Sequence, residues 1–197
     1  MFNIMGMVEL WKNVLLKPKQ TFENELKEAK GIKEGVKNLA VATVIYLLID
    51  TILNLITGSL NIFGMITVLI LGSIILILLV AFANFVIAGM YYLTCKFLGA
   101  KETNYSKFFY LFALLFSVFV SLGIIIRIIS LIPVIGLIAG VFSFLLLLYS
   151  IYVTVQLIKA ATGFGTGKAI LACVIPSIVI VIAFLVVSFL AILLLKF

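Results

Sequence analysis

Beyond Lys37, long apolar runs alternate with short polar interruptions. Residues 38–95 carry one charge, Asp50, and residues 108–126, 128–158 and 169–195 carry none. About 20 apolar residues take a helix across a hydrocarbon core, so residues 38–95 and 108–158 are each too long for one span and must fold back. The interruptions are built for turning: Thr57-Gly58-Ser59-Leu60-Asn61, Lys96–Lys107, Ile132-Pro133-Val134-Ile135-Gly136 and Ala160–Gly167. The pattern predicts five spans near 38–57, 64–95, 107–130, 135–158 and 169–195. Barrel strands alternate apolar and polar positions, which runs such as Ile124–Ile126 and Phe144–Leu148 do not. Helices satisfy their own backbone in lipid. The fold class is therefore all-α: a polytopic membrane protein with a five-helix bundle.

Residues 1–37 are patterned differently and form the expected amino-terminal unit, with 38–197 as the membrane domain. Met7, Leu10, Trp11, Val14 and Leu15 recur at helical spacing and make an apolar stripe on a helix over Ile4–Leu16. Indole favours the membrane–water interface. Trp11, flanked by Lys12 and Lys17, is the expected interfacial anchor of an amphipathic helix lying in the headgroup region. Pro18 ends or restarts that helix. From Thr21 to Lys37 the pattern predicts a charged helix, with Glu23–Lys27 and Lys30–Glu34 as i,i+4 pairs.

Composition narrows the class further. The chain has 197 residues, 65% of them hydrophobic and 11% charged, with a mean hydropathy of +1.41. A soluble domain needs more polar surface. The net charge of +7 comes from 14 basic and seven acidic residues. Five spans put twelve of those basic residues on one side and leave Arg127 and Lys196 on the other. By the positive-inside rule, the amino terminus is expected in the cytoplasm and the carboxyl terminus outside. The same rule explains the charge without nucleic acid. The expected partner is the lipid bilayer, with a homo-oligomer or other membrane proteins left open.

Little of the usual catalytic chemistry is available. With no His, two Cys and one Asp, there is no Ser-His or Cys-His pair, no aspartic dyad and no Cys/His zinc site. No enzyme activity and no cofactor are expected. Cys95 and Cys173 read as buried small hydrophobes. Gly163-Phe-Gly-Thr-Gly-Lys168 falls short of a phosphate loop, because Thr162 stands at the first glycine position and Ala169 replaces the final hydroxyl. It reads as a turn.

The informative polar residues lie inside the spans. A carboxylate at the depth of Asp50 must be paired, hydrated or protonated. Asn54 stands one turn away on the same face, and Arg127 approaches from the third span. A clasp between helices is the preferred reading of Asp50, against a proton- or ion-linked site and a water-exposed carboxylate. Asn84 joins Asp50, Asn54 and Arg127 as the candidate polar cluster. Tyr149, Tyr152 and Gln156 share a face suited to hydrogen bonds between helices. Gly136 and Gly140 form a small-xxx-small pair for close helix packing.

Two stretches resemble the Yip domain family of Ypt/Rab GTPase-interacting membrane proteins. Leu15-Leu-Lys-Pro-Lys-Gln-Thr-Phe-Glu23 is similar to the Pro-x-x-Thr-Phe entry of prokaryotic members. Pro133-Val-Ile-Gly136, with Leu148-Tyr-Ser-Ile-Tyr-Val-Thr-Val-Gln-Leu-Ile-Lys159 and Gly167-Lys-Ala169, is similar to the family's fourth span and its exit. The resemblance implies a cytoplasmic amino-terminal segment, five spans and a membrane-organising role, in a chain like prokaryotic or archaeal members. The Asp-Leu-Tyr-Gly-Pro segment of eukaryotic relatives is absent, so no residue carries over for GTPase binding. Two functions stand: a non-enzymatic membrane scaffold linked to membrane shaping or trafficking-like processes, and a small transporter or channel using Asp50, Asn54, Asn84 and Arg127.

Overall fold

A computed structural model describes residues 4–28, 30–59, 61–101, 104–131 and 136–194. Among these residues eight α-helices follow in order: α1 (Ile4–Leu16), α2 (Pro18–Lys27), α3 (Ile32–Ile56), α4 (Ile62–Thr67), α5 (Ser73–Phe97), α6 (Tyr105–Ser130), α7 (Gly136–Thr162) and α8 (Thr166–Leu194). A π-helical segment, Val68–Gly72, joins α4 to α5, so the helical path runs unbroken from Ile62 to Phe97. There is no strand among the described residues. Among the described residues, four helical stretches are long and apolar enough to cross a membrane: Ile32–Ile56, Ile62–Phe97, Tyr105–Ser130 and Ile138–Thr162. Thr166–Ile182, within α8, is a further, shorter apolar stretch.

The helix ends follow from local chemistry. Asn61 and Asn104 accept hydrogen bonds from the amides of Gly64 and Ser106, capping α4 and α6. After α3 and α5 the chain turns through Gly58 and Gly99, at φ +72° and +95°. The Ser59 and Ala100 amides then reach back to the carbonyls of Asn54 and Cys95, at 2.9 and 3.0 Å. This left-handed closure favours glycine.

α6 is the centre of the bundle. Its run from Phe108 to Leu115 is buried on every side, as only a helix wrapped by neighbours can be. α3 packs along it most extensively, with α5 and α7 on its other sides and α8 against α5 and α7. The close α3–α6 approach depends on Gly35, where a Cβ would stand 2.9 Å from the Phe109 ring and 3.1 Å from the Ala113 methyl. One end of the bundle carries Lys96, Lys107, Lys159 and Lys168, and the other carries Arg127. We call them the lysine-rich end and the arginine end.

The first two helices pack on the bundle. α1 lies against α6, and α2 lies along α7. The turn between them is held near the middle of α7, where the Tyr149 hydroxyl donates to the Leu15 carbonyl. The far end of α2 is held at the lysine-rich end, where Lys107 donates to the Leu26 carbonyl at 2.9 Å. The pair is a hairpin standing along the bundle.

Several expectations change. The charged run from Thr21 to Lys37 is divided between α2 and α3, with Glu28 and Gly31 extended between them. α3 starts at Ile32, so its charged first turns are continuous with the apolar span. The apolar stripe of α1 is real, but its central residues are covered by protein: Val14 is fully buried and Trp11 is 6% exposed. Periodicity identifies an apolar face without naming what covers it, and here α6 and α2 do so. Gly140 is exposed, and a Cβ there would meet nothing within 4 Å, so it makes no close approach among the described residues. The packing of Gly136 lies outside the described residues' side-chain environments.

Candidate functional site

Two polar clusters stand out in this apolar bundle, one near each end. At the arginine end, Asp50 and Asn54 lie one turn apart on α3, and Arg127 reaches them from α6. Arg127 Nε donates to Asp50 Oδ1 at 2.9 Å, and a terminal guanidinium nitrogen donates to Asn54 Oδ1 at 3.0 Å. Asn54 Nδ2 donates to Asp50 Oδ2 at 2.9 Å. The three side chains form a closed ring, with both carboxylate oxygens and two guanidinium nitrogens engaged. The planar guanidinium suits this two-point grip, which a point charge such as Lys cannot reproduce.

The ring is half-open. The Arg127 side chain is 39% exposed and that of Asp50 is 26%. Such a pair is not sealed by protein, so what surrounds the helices at that depth sets how strongly it stabilises. Chemically, it cross-links two parallel helices. A role as proton or ion carrier requires the ring to open first.

Asn84 is not part of it. The residue lies on α5, 2% exposed, and forms no hydrogen bond with the ring; its Nδ2 has no partner. It lines a cleft of about 250 Å³ with Tyr91, Phe112, Phe116, Ser150 and Thr154, between α5, α6 and α7. The expected four-residue cluster is therefore a three-residue ring and a separate asparagine.

The second cluster, at the lysine-rich end, holds the amino-terminal hairpin. Glu25 of α2 is 8% exposed and accepts from the Tyr110 hydroxyl of α6. Lys30 Nζ stands 2.8 Å from Glu25 Oε2 and 2.7 Å from Glu28 Oε2, and lies over the Tyr110 ring at 5.7 Å. Burial opposes the Lys30 charge, but the hydrogen bonds and charges of Glu25 and Glu28 outweigh it and raise the ammonium pKa above the ordinary lysine value. The charged pattern from Thr21 to Lys37 does not distinguish Glu25 and Lys30 from their exposed neighbours. The available signal is Phe22, an apolar residue in a charged helix that shares a face with Glu25 at i,i+3 spacing.

The other candidates fall into place separately. Trp11 is buried, and its indole Nε1 has no partner, while Lys12 and Lys17 point outward. Cys95 and Cys173 are buried and free. Gly163, at φ +70°, closes α7, and Thr166, accepting from Lys159 at 3.0 Å, opens α8. Tyr149 holds α1, whereas Tyr152 is half exposed.

A helical bundle with several apolar helices of membrane-spanning length defines a multi-pass membrane protein. The chain belongs to the Yip1 domain family: the Yip1 domain matches residues 12–188, nearly its whole length. No curated protein and no solved structure matches it.

Proposed function

We propose that this protein is a non-enzymatic membrane scaffold whose helices organise the bilayer around them, in processes of membrane shaping or traffic. It crosses the membrane five times, with its amino terminus in the cytoplasm and its carboxyl terminus on the opposite side. The closed ring of Asp50, Asn54 and Arg127 carries this reading. Every strong bond of the intramembrane carboxylate goes to another residue of the same chain, which suits a fixed cross-link between α3 and α6. The basic residues support the orientation, because α6 rises about 30 Å from Lys107 to Arg127, the thickness of a hydrocarbon core. Membrane proteins and further copies of this chain are the partners in keeping with such a role, and neither a cofactor nor a GTPase is needed for it.

One observation favours a second reading. Asp50 and Arg127 are partly exposed, so protein does not seal the pair, and a small transporter or channel needs such an opening. Liposomes containing purified protein separate the two. A scaffold leaves proton and alkali-cation flux at the level of empty liposomes, for wild type and Asp50→Asn alike. Flux through wild type that Asp50→Asn abolishes, with the fold intact, establishes the transporter. The topology is tested by impermeant maleimide on Ser59→Cys and Lys101→Cys proteins. Labelling of both from one side contradicts the orientation.

A further inference from the structure

The hairpin of α1 and α2 raises a problem of depth. Its turn is fixed at Tyr149 of α7, and α7 rises about 15 Å from Tyr149 to Lys159. That is half a hydrocarbon core. The turn is also rigid: the Thr21 hydroxyl bonds the carbonyls of Asn13 and Lys17 at 3.0 and 2.9 Å, and Pro18 is buried. Yet the outward face at this level is charged. Lys12, Lys17, Gln20 and Glu23 are exposed, and the Lys19 side chain is 62% exposed. Snorkelling recovers only the length of a lysine stem.

The opposite flank is built for lipid down to the lysine-rich end. On α5, Leu93 is 66% exposed and Phe97 is 89% exposed. Phe97 adjoins Lys96 and the connection to α6, so apolar surface there extends to the end of the bundle. A flat membrane boundary leaves either bare phenylalanine in water or lysines among acyl chains. A boundary that steps around the protein satisfies both flanks.

We propose that the outer face of the α1–α2 hairpin is a docking surface for phospholipid headgroups, which are drawn toward the bilayer midplane beside α7 by the part of that rise of about 15 Å that the lysine stems do not span. Lys12, Lys17 and Lys19 face the phosphates. Met5, Val8 and Leu16, all at least half exposed, enter the acyl boundary between them, the mixed apolar and basic character that interfacial helices share. With Glu9 and Glu23 on the same face, the surface has a net charge of about +1 by residue count and favours anionic headgroups modestly. The leaflet at the lysine-rich end is thinned on this flank and of full depth on the other. The inference requires a membrane-spanning chain, but neither the scaffold reading nor the orientation.

The test uses the full chain in vesicles of phosphatidylcholine and phosphatidylglycerol, with no other protein present. A spin label is placed at Lys19→Cys, which is selective because Cys95 and Cys173 are buried. Two quantities are read: the enhancement of phospholipid phosphorus relaxation by the label, and the dipolar distance to a second label at Ser59→Cys. The expected result combines a phosphorus enhancement comparable to that from a label at Lys101→Cys with a 19–59 distance about 15 Å shorter than a hairpin lying flat at the level of Lys159. A short distance without phosphorus enhancement puts the turn among acyl chains or in a water pocket, or leaves it for a protein to cover, and overturns the proposal. The longer distance overturns it as well, because the hairpin then lies in the interface. Neither readout depends on ion flux, so this inference and the functional reading fail separately.

Discussion

The clusters at the two ends join helices in opposite ways. At the arginine end, Asp50, Asn54 and Arg127 tie α3 to α6 through a ring that remains partly exposed. At the lysine-rich end, Glu25 is 8% exposed and Tyr110 is 2% exposed, with Lys30 covering the pair from outside. The first joins helices already packed along their length, and the second attaches a hairpin to them. A partly exposed cross-link between helices with other contacts is a modest contribution. A buried carboxylate that loses its partners has nowhere to go. The inconspicuous cluster therefore has more at stake than the conspicuous one.

The sharpest way to break this comparison is at Glu25. Glu25→Ala leaves Tyr110 with an unsatisfied buried hydroxyl and Lys30 without its inner partner, and is expected to cost about 3–5 kcal/mol. The hairpin should leave the bundle, which limited proteolysis with trypsin in detergent would show as cleavage after Lys19. Asp50→Ala should cost less, about 1–3 kcal/mol, because the partly exposed Arg127 side chain can snorkel toward the interface. Steric trapping in bicelles measures both, and an Asp50→Ala effect larger than that of Glu25→Ala reverses the ranking.

The smallest effect is a pH dependence confined to the lysine-rich end. The folded-state pKa of Lys30 lies above its ordinary value of 10.5. Its contribution is therefore fully present below the unfolded pKa and is lost as pH rises through the folded one. Above pH 10.5, wild type should lose stability relative to Lys30→Met, and below it the difference between them should be constant. A difference that already varies between pH 7 and pH 9 excludes Lys30 as its source.

These clusters also show what was legible in the chain. Charge-free runs of membrane length marked the helices, and Thr57-Gly58-Ser59 and Gly163 marked turns, because lipid excludes charge and left-handed backbone favours glycine. Asp50 and Arg127 were legible for the same reason, as charges out of place. Glu25 was hidden by its neighbours, since one buried carboxylate within Glu23–Lys37 looks like the exposed ones around it. Asn84 was grouped with the ring by polarity alone, and only the packing of α5 separates them. The stripe on α1 was found, but its assignment to lipid rested on the general preference of Trp, which the covering α6 overrides. Gly35 was missed because nothing in Glu34-Gly35-Val36 distinguishes a close approach from a surface glycine.

The central claim is that Asp50 serves as a cross-link between α3 and α6. A double-mutant cycle on Asp50→Ala and Arg127→Ala, with unfolding free energies measured in bicelles, tests it directly. If the two residues hold each other, the double replacement costs less than the two single effects added, with a coupling of about 0.5–3 kcal/mol. Additive effects within about 0.5 kcal/mol would contradict the account, because residues that hold each other cannot be removed independently.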